Sequence, residues 1–167
     1  MRRTDREVTD RNEIISIIKK CDVCRLGLND KDVPYILPLN FGVDEKDGNV
    51  ILIFHSALEG KKVELLKNQK IVSFEMDRGH ELQYIAEKGY CTMMFESVMG
   101  KGEVFFYEPK DVMNALQIMM DKYHPLSDEE KAKMANPHTY FNPAAIPRTL
   151  VYGVKVDMDS LTAKRKC

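Results

Sequence analysis

The tetrapeptide Lys46-Asp47-Gly48-Asn49 lies between two apolar runs that read as β-strands. Asp-Gly accepts the positive φ angles of a tight primed turn, whose twist matches that of two paired antiparallel strands. Upstream, over residues 33–43, Tyr35, Leu37, Leu39, Phe41 and Val43 take one face of a strand, and Ile36, Pro38, Asn40 and Gly42 take the other. Downstream, Val50–His55 is the returning strand. Such a hairpin is marginal alone and must bury one face, which commits the chain to a larger antiparallel sheet.

The remaining segments add to that sheet. Residues 9–21 predict a helix capped by Asp10, with Glu13 three positions on and Ile14, Ile15, Ile17 and Ile18 as its buried stripe. Cys24, Leu26 and Leu28 alternate with polar or small residues, and Asn29-Asp30 supplies a turn. Ser56-Ala57-Leu58-Glu59 reads as the capping box of a second helix, which buries Val63, Leu65 and Leu66. Ile71–Met76 predicts a strand, 77–88 a polar stretch, and Gly89–Tyr107 a long β segment in which Gly100 and Gly102 mark a bend or bulge. Glu108-Pro109 opens a helix carrying Val112, Met113, Leu116, Met119, Met120 and Tyr123, and Ser127-Asp128-Glu129-Glu130 starts a shorter one. Residues 136–148, with Pro137, Pro143 and Pro147, predict a loop, Leu150–Asp157 a final strand, and Lys164-Arg165-Lys166 a basic tail. Too few strands are separated by full crossover helices for a parallel βαβ sheet. The fold class expected is therefore mainly antiparallel β with appended helices, in a single domain over 1–167.

Composition narrows function mostly by exclusion. Lys and Arg total 25 against 26 Asp and Glu, a net charge of −1, so no global field attracts nucleic acid and any anion site must be local. No apolar run reaches the roughly 20 residues that a membrane helix needs, and the N-terminal residues lack a secretory signal. Four cysteines in 167 residues are too few for a disulfide scaffold, which points to a reducing cytoplasm. Gly100-Lys101-Gly102 lacks the third glycine of a dinucleotide fingerprint. Cys21-Asp22-Val23-Cys24 has no second pair to complete a zinc site, and Cys24 falls on an apolar strand face, so core packing is expected and no metal. The methionines at helical spacing read as core, with a promiscuous hydrophobic pocket or a dimer interface as the other readings.

Two stretches point to chemistry. In His55-Ser56 followed by Lys61-Lys62, a strand end meets the start of a helix, where free N–H groups, a hydroxyl and two cations favour an anion. The same pattern fits a plain N-cap with solvated lysines. In Pro34–Gly42, the prolines leave ladder positions open near residues 38–41, where backbone groups and the Asn40 amide offer a polar edge to a flat heterocycle. A proline-protected edge strand is the plainer alternative.

Taken in order, these stretches resemble the flavin-binding split-barrel superfamily that includes pyridoxamine-phosphate oxidase. More closely, they resemble its branch of nitroimidazole-resistance proteins. The matching segments begin with Met1–Glu7, Cys24-Arg25-Leu26-Gly27, Pro34-Tyr35 and Pro38-Leu39-Asn40-Phe41-Gly42. They continue with Phe54-His55-Ser56-Ala57, Glu59-Gly60-Lys61, Ser97–Gly102 and Leu161–Arg165. The resemblance implies a six-stranded antiparallel split barrel that forms a homodimer with FMN at the subunit interface. By position, Ser56, Lys61 and Lys62 would hold the FMN phosphate, and Pro38, Leu39, Asn40 and Phe41 would run beside the isoalloxazine ring. Ser97 and Val98 would contact the cofactor of the neighbouring subunit, and His55 would stand near the flavin and touch substrate. The activity implied is that of a cytoplasmic oxidoreductase reducing small nitroaromatic compounds such as 5-nitroimidazoles. A non-catalytic flavin- or haem-binding module is the alternative, and a cofactor-free barrel used for protein contacts is a further one. The chain has no tryptophan, so the segment with which pyridoxamine-phosphate oxidases close their site lacks a key residue, and that oxidation is not expected.

Overall fold

The computed structural model describes residues 3–123, 127–133 and 143–166. In chain order the elements are β1 (Glu7–Val8), α1 (Arg11–Lys20), β2 (Cys24–Asp30), β3 (Val33–Leu39), β4 (Gly42–Lys46) and β5 (Asn49–Ser56). There follow α2 (Lys61–Lys67), β6 (Ile71–Ile85), β7 (Tyr90–Phe106), α3 (Val112–Tyr123), α4 (Asp128–Lys133), β8 (Leu150–Val156) and β9 (Thr162–Lys166). Much of the loop expected over 136–148 lies outside the described residues, and Pro143–Arg148 winds as a short 3-10 helix.

The strands join one antiparallel sheet in the order β3-β2-β6-β7-β8-β5-β4, with β9 laid against β7 and β1 against β9. The two ends of that path, β3 and β4, are consecutive in the chain. The strand expected over 33–43 is thus broken at Asn40-Phe41, so that its first part pairs with β2 and its second with β5. The ring closes through the covalent chain and not through a ladder, which is the split of a split barrel. Counted as one bent strand, β3 and β4 bring the seven strands of the path to the expected six.

Local chemistry explains most elements. Asp47 and Gly48 turn at φ +53° and +73°, the conformation expected of the β4–β5 hairpin. The Glu13 N–H donates to Asp10 Oδ1 at 2.9 Å, and the four isoleucines of α1 are buried. Inside the barrel Phe41, Phe54 and Tyr152 form an aromatic column, with Phe54 and Tyr152 stacked at 5.4 Å. A second core holds α3 through Val112, Ala115, Leu116 and Met119 against Ile53 and Val151.

Several expectations are corrected. The turn after β2 falls at Lys31, where φ is +55°, because Asn29 and Asp30 still pair with Pro34 and Val33. The polar stretch after Met76 continues as strand to Ile85, paired with Tyr90–Met94. There Leu82 and Tyr84 alternate with Glu81 and Gln83, yet both apolar side chains are exposed, so this part of the β6–β7 hairpin covers no core. The ladder shifts register between Arg78 and Glu81, not at Gly100 or Gly102. Those two glycines serve close approach instead, since a Cβ at Gly102 would lie 2.5 Å from the Lys155 carbonyl oxygen. α3 begins at Val112, after a turn at Pro109. The basic tail is a strand, β9, hydrogen-bonded to β7. Among the described residues no helix is long and apolar enough to cross a membrane.

Candidate functional site

β5 stays paired to its end, with His55 opposite Val151 and Ser56 opposite Leu150. These ladder bonds keep Ser56 extended, so the capping box expected over 56–59 does not form. The Ser56 hydroxyl instead donates to the Ala57 carbonyl at 2.8 Å. α2 starts only at Lys61, after Gly60 at φ +118° and without a side-chain cap. The stretch is therefore a strand end and a turn leading to a short helix, and its cations decide its chemistry.

The two lysines differ. The Lys61 ammonium lies 2.5 Å from the Asp30 carboxylate and 4.8 Å above the Tyr35 ring, and Asp30 holds its pKa up. Lys62 is half-buried, 6.0 Å from the Tyr152 ring, and burial pulls its pKa down. Among the described residues no carboxylate pairs with it. Burial, and then the Lys62 charge, also hold the His55 imidazole below its ordinary pKa. Lys62 thus stands close enough to His55 to act on its charge, Ser56 follows His55 at the end of β5, and Lys61 is turned towards β2 and β3.

The Pro38–Phe41 stretch divides inside from outside. Pro38 is exposed opposite Arg25, Leu39 is half-buried opposite Cys24, and Asn40 is exposed with its amide 3.5 Å from the Asp22 carbonyl. β3 pairs only with β2, which leaves its other edge without a ladder among the described strands. Phe41 is fully buried, and its N–H donates to the Tyr123 hydroxyl at 3.0 Å. That hydroxyl donates onward to the Asp22 carbonyl at 2.6 Å. Lys122 donates to the carbonyls of Cys21 and Lys19 and sits 4.6 Å above the Phe41 ring. Phe41 thus offers a ligand neither its ring nor its N–H, and Tyr123 and Lys122 set its position. Tyr123 could be read from helical spacing as a core residue, but nothing local marks either residue as a clamp on a segment some 80 positions earlier (82 for Phe41 and Tyr123).

Ser97 is half-buried opposite Asp77 and Lys164, while Val98 is wholly buried between Met76 and Ala163. Of this pair only Ser97 has surface to offer. Cys24 is buried in the core, as its place on the strand implied, and burial pushes the Cys21 thiol up to about 11 and the Cys24 thiol higher. Neither is a thiolate at neutral pH. A cleft of about 600 Å3 lies away from His55, on the outer face of β3, β2, β6 and β7. Its floor is low because Gly27 and Ser73 stand side by side between Ile36 and Lys101. Beside it the Arg25 guanidinium bridges Glu75, at 3.0 Å, and Asp77. The cleft thus adjoins the face that carries Pro38.

The sequence profile of the family described as pyridoxamine 5'-phosphate oxidase matches residues 10–163. No curated protein sequence matches significantly. Among solved structures, a candidate 5-nitroimidazole antibiotic resistance protein from Bacteroides thetaiotaomicron is 31% identical, with a TM-score of 0.75 over 95% of this chain and 85% of its own. The FAD- and haem-binding protein from Mycobacterium smegmatis is 13% identical, with a TM-score of 0.76 over 96% of this chain and 73% of its own. A flavocytochrome from Azotobacter vinelandii is 16% identical, with a TM-score of 0.74 over all of this chain and 72% of its own. These last two likenesses are of fold.

Proposed function

Because the chain belongs to the pyridoxamine 5'-phosphate oxidase family, we propose that it is an FMN-binding oxidoreductase that reduces small nitroaromatic compounds, 5-nitroimidazoles among them. The observation that carries the reading is Lys62, a half-buried ammonium with no carboxylate partner among the described residues, beside Ser56 and His55 at the split. Partial burial of a cation is unfavourable until an anion joins it. A phosphate suits that place, with the Ser56 hydroxyl as a further donor. β3 then supplies the length. At about 3.3 Å per residue, Tyr35 and Asn40 stand roughly 17 Å apart, comparable to an extended flavin mononucleotide. Pro38, Leu39 and Asn40 would lie along the ring system, whose polar edge the Asn40 amide suits. When bound, the flavin supplies the electrons. The protein binds and orients it, and His55 offers substrate a hydrogen bond. The nitroimidazole reading is supported by the 31% identity with the Bacteroides protein.

We further propose a homodimer in the cytoplasm, with Ser97 of each subunit facing the other's cofactor. Three free thiols among the described cysteines suit a reducing compartment.

The test begins with the purified protein incubated with FMN and desalted. A retained flavin spectrum is expected, and its absence would remove the flavin reading. The bound flavin is then reduced anaerobically with dithionite and mixed with a 5-nitroimidazole. Reoxidation faster than that of free reduced FMN identifies an enzyme. Retention of flavin without such reoxidation would instead assign a binding module, the reading to which the flavin and haem proteins of like fold lend support.

A further inference from the structure

We propose a second anion site, for a phosphate-bearing small molecule, in a polar cleft of about 490 Å3 where the N-terminal 3-10 turn (Thr4–Arg6, with Arg3 at its N-cap), the β6–β7 turn and β9 meet. Arg3 and Arg6 come from the first of these, Lys88 from the second, and Arg165 and Lys166 from the third, while Asp5 is the one carboxylate in the wall. Three distant segments converge on one space and leave it strongly positive, in a chain whose net charge is −1.

Part of that charge is answered within the protein. The Arg3 guanidinium grips Asp5 at 2.7 and 2.6 Å, and Arg165 is bound by Glu96 at 2.7 Å and Glu13 at 3.2 Å. Three cations remain. Arg6 reaches Asp5 only at 4.0 Å, on a carboxylate already held by Arg3. Lys88 and Lys166 form no ion pair among the described residues. Lys166 donates to the Thr92 hydroxyl, which fixes its ammonium in the cleft wall. Like charges gathered in a concave place repel, and one polyanion accepting from all three relieves that repulsion.

A phosphate group fits the donor set better than a lone carboxylate, because its oxygens can serve a guanidinium and two ammonium groups at once. The volume exceeds what a bare phosphate needs, and the half-exposed Tyr90 ring in the wall offers a face to an organic body. The site shares no residue with the His55, Ser56, Lys62 and Pro38–Asn40 group, so it goes beyond the flavin reading.

Calorimetric titrations with inorganic pyrophosphate and with AMP, at low salt, test the site on the protein as purified and again after incubation with FMN. Both are expected to bind, while adenosine, which lacks phosphate, is not. Lys88→Ala with Lys166→Ala should raise Kd by at least about tenfold. The flavin content of that variant should stay unchanged. Lys88→Ala alone, on an exposed turn, should show a smaller rise and keeps the test open if the double variant is unstable. Failure of both anions to bind, or binding indifferent to these substitutions, would overturn the proposal. Loss of flavin in step with loss of pyrophosphate would do so too, by merging the cleft with the cofactor site. Failure of the flavin reading alone would leave the pyrophosphate result untouched.

Discussion

Lys61 and Lys62 are adjacent in sequence but point about 100° apart around the start of α2, into different surroundings. Asp30 already answers the charge of Lys61, and the contact is open to solvent, so an arriving phosphate gains little from it. Lys62 is partly desolvated and unanswered. Lys62→Ala is therefore expected to weaken FMN binding by about tenfold or more. Lys61→Ala should weaken it by only a few-fold. Fluorescence titration of FMN into the apoprotein checks both, and equal losses would mean that the two lysines share the phosphate. At this scale the stretch from His55 to Lys62 was legible as a strand end leading towards a helix, because the apolar run of β5 stops at His55. The difference between the lysines was not, since Asp30 and Tyr152, their respective neighbours, come from strands far away in sequence.

Elements were legible wherever burial has one sided periodicity. α1 shows its isoleucine stripe, β3 alternates through Leu39, and the Asp47-Gly48 turn states its own geometry. Elements with both faces exposed, or set by a partner, were not. The outer half of the β6–β7 hairpin has no core face to pattern, and β9 reads as a charged tail because it is short and lies on the outside of β7. The break at Asn40-Phe41 is the clearest case of a distant partner. Alternation alone would carry the strand through it, but Tyr123 binds the Phe41 N–H and the Asp22 carbonyl while Lys122 caps the Phe41 ring. Tyr123→Phe removes a donor and an acceptor from one hydroxyl and leaves both backbone groups without that partner. It should destabilise the protein by about 1–2 kcal/mol, read as a lower urea midpoint at unchanged slope. An unchanged midpoint would show that the bend is held without the hydroxyl.

At the scale of the whole molecule, β1, α1 and β9 are joined to the barrel by ladders and by a charge network centred on Glu96. β1 pairs with β9, β9 pairs with β7, and α1 contacts this layer. Glu96 on β7 accepts from Arg165 of β9 at 2.7 Å and from Arg78 of β6 at 2.5 Å, and Arg165 reaches on to Glu13 of α1. Burial by itself would raise the Glu96 pKa, but the two guanidinium groups together outweigh it and hold the carboxyl below its ordinary range. A folded-state pKa below the unfolded value means that the unfolded chain takes up the proton first as pH falls. The stabilisation is then complete above the ordinary glutamate pKa, about 4.3, and is lost as pH drops through the lower folded value. Arg78 is 39% exposed, so solvent screens part of the interaction. Glu96→Gln should cost about 1 kcal/mol at pH 7. The gap between variant and parent should narrow as pH falls below the ordinary glutamate pKa, because Gln cannot titrate and the parent loses its charge. Urea unfolding at a series of pH values from neutral to acidic measures that gap directly. A gap constant with pH would place the contribution of Glu96 in packing, and β9 would then be held chiefly by its ladders with β7 and β1.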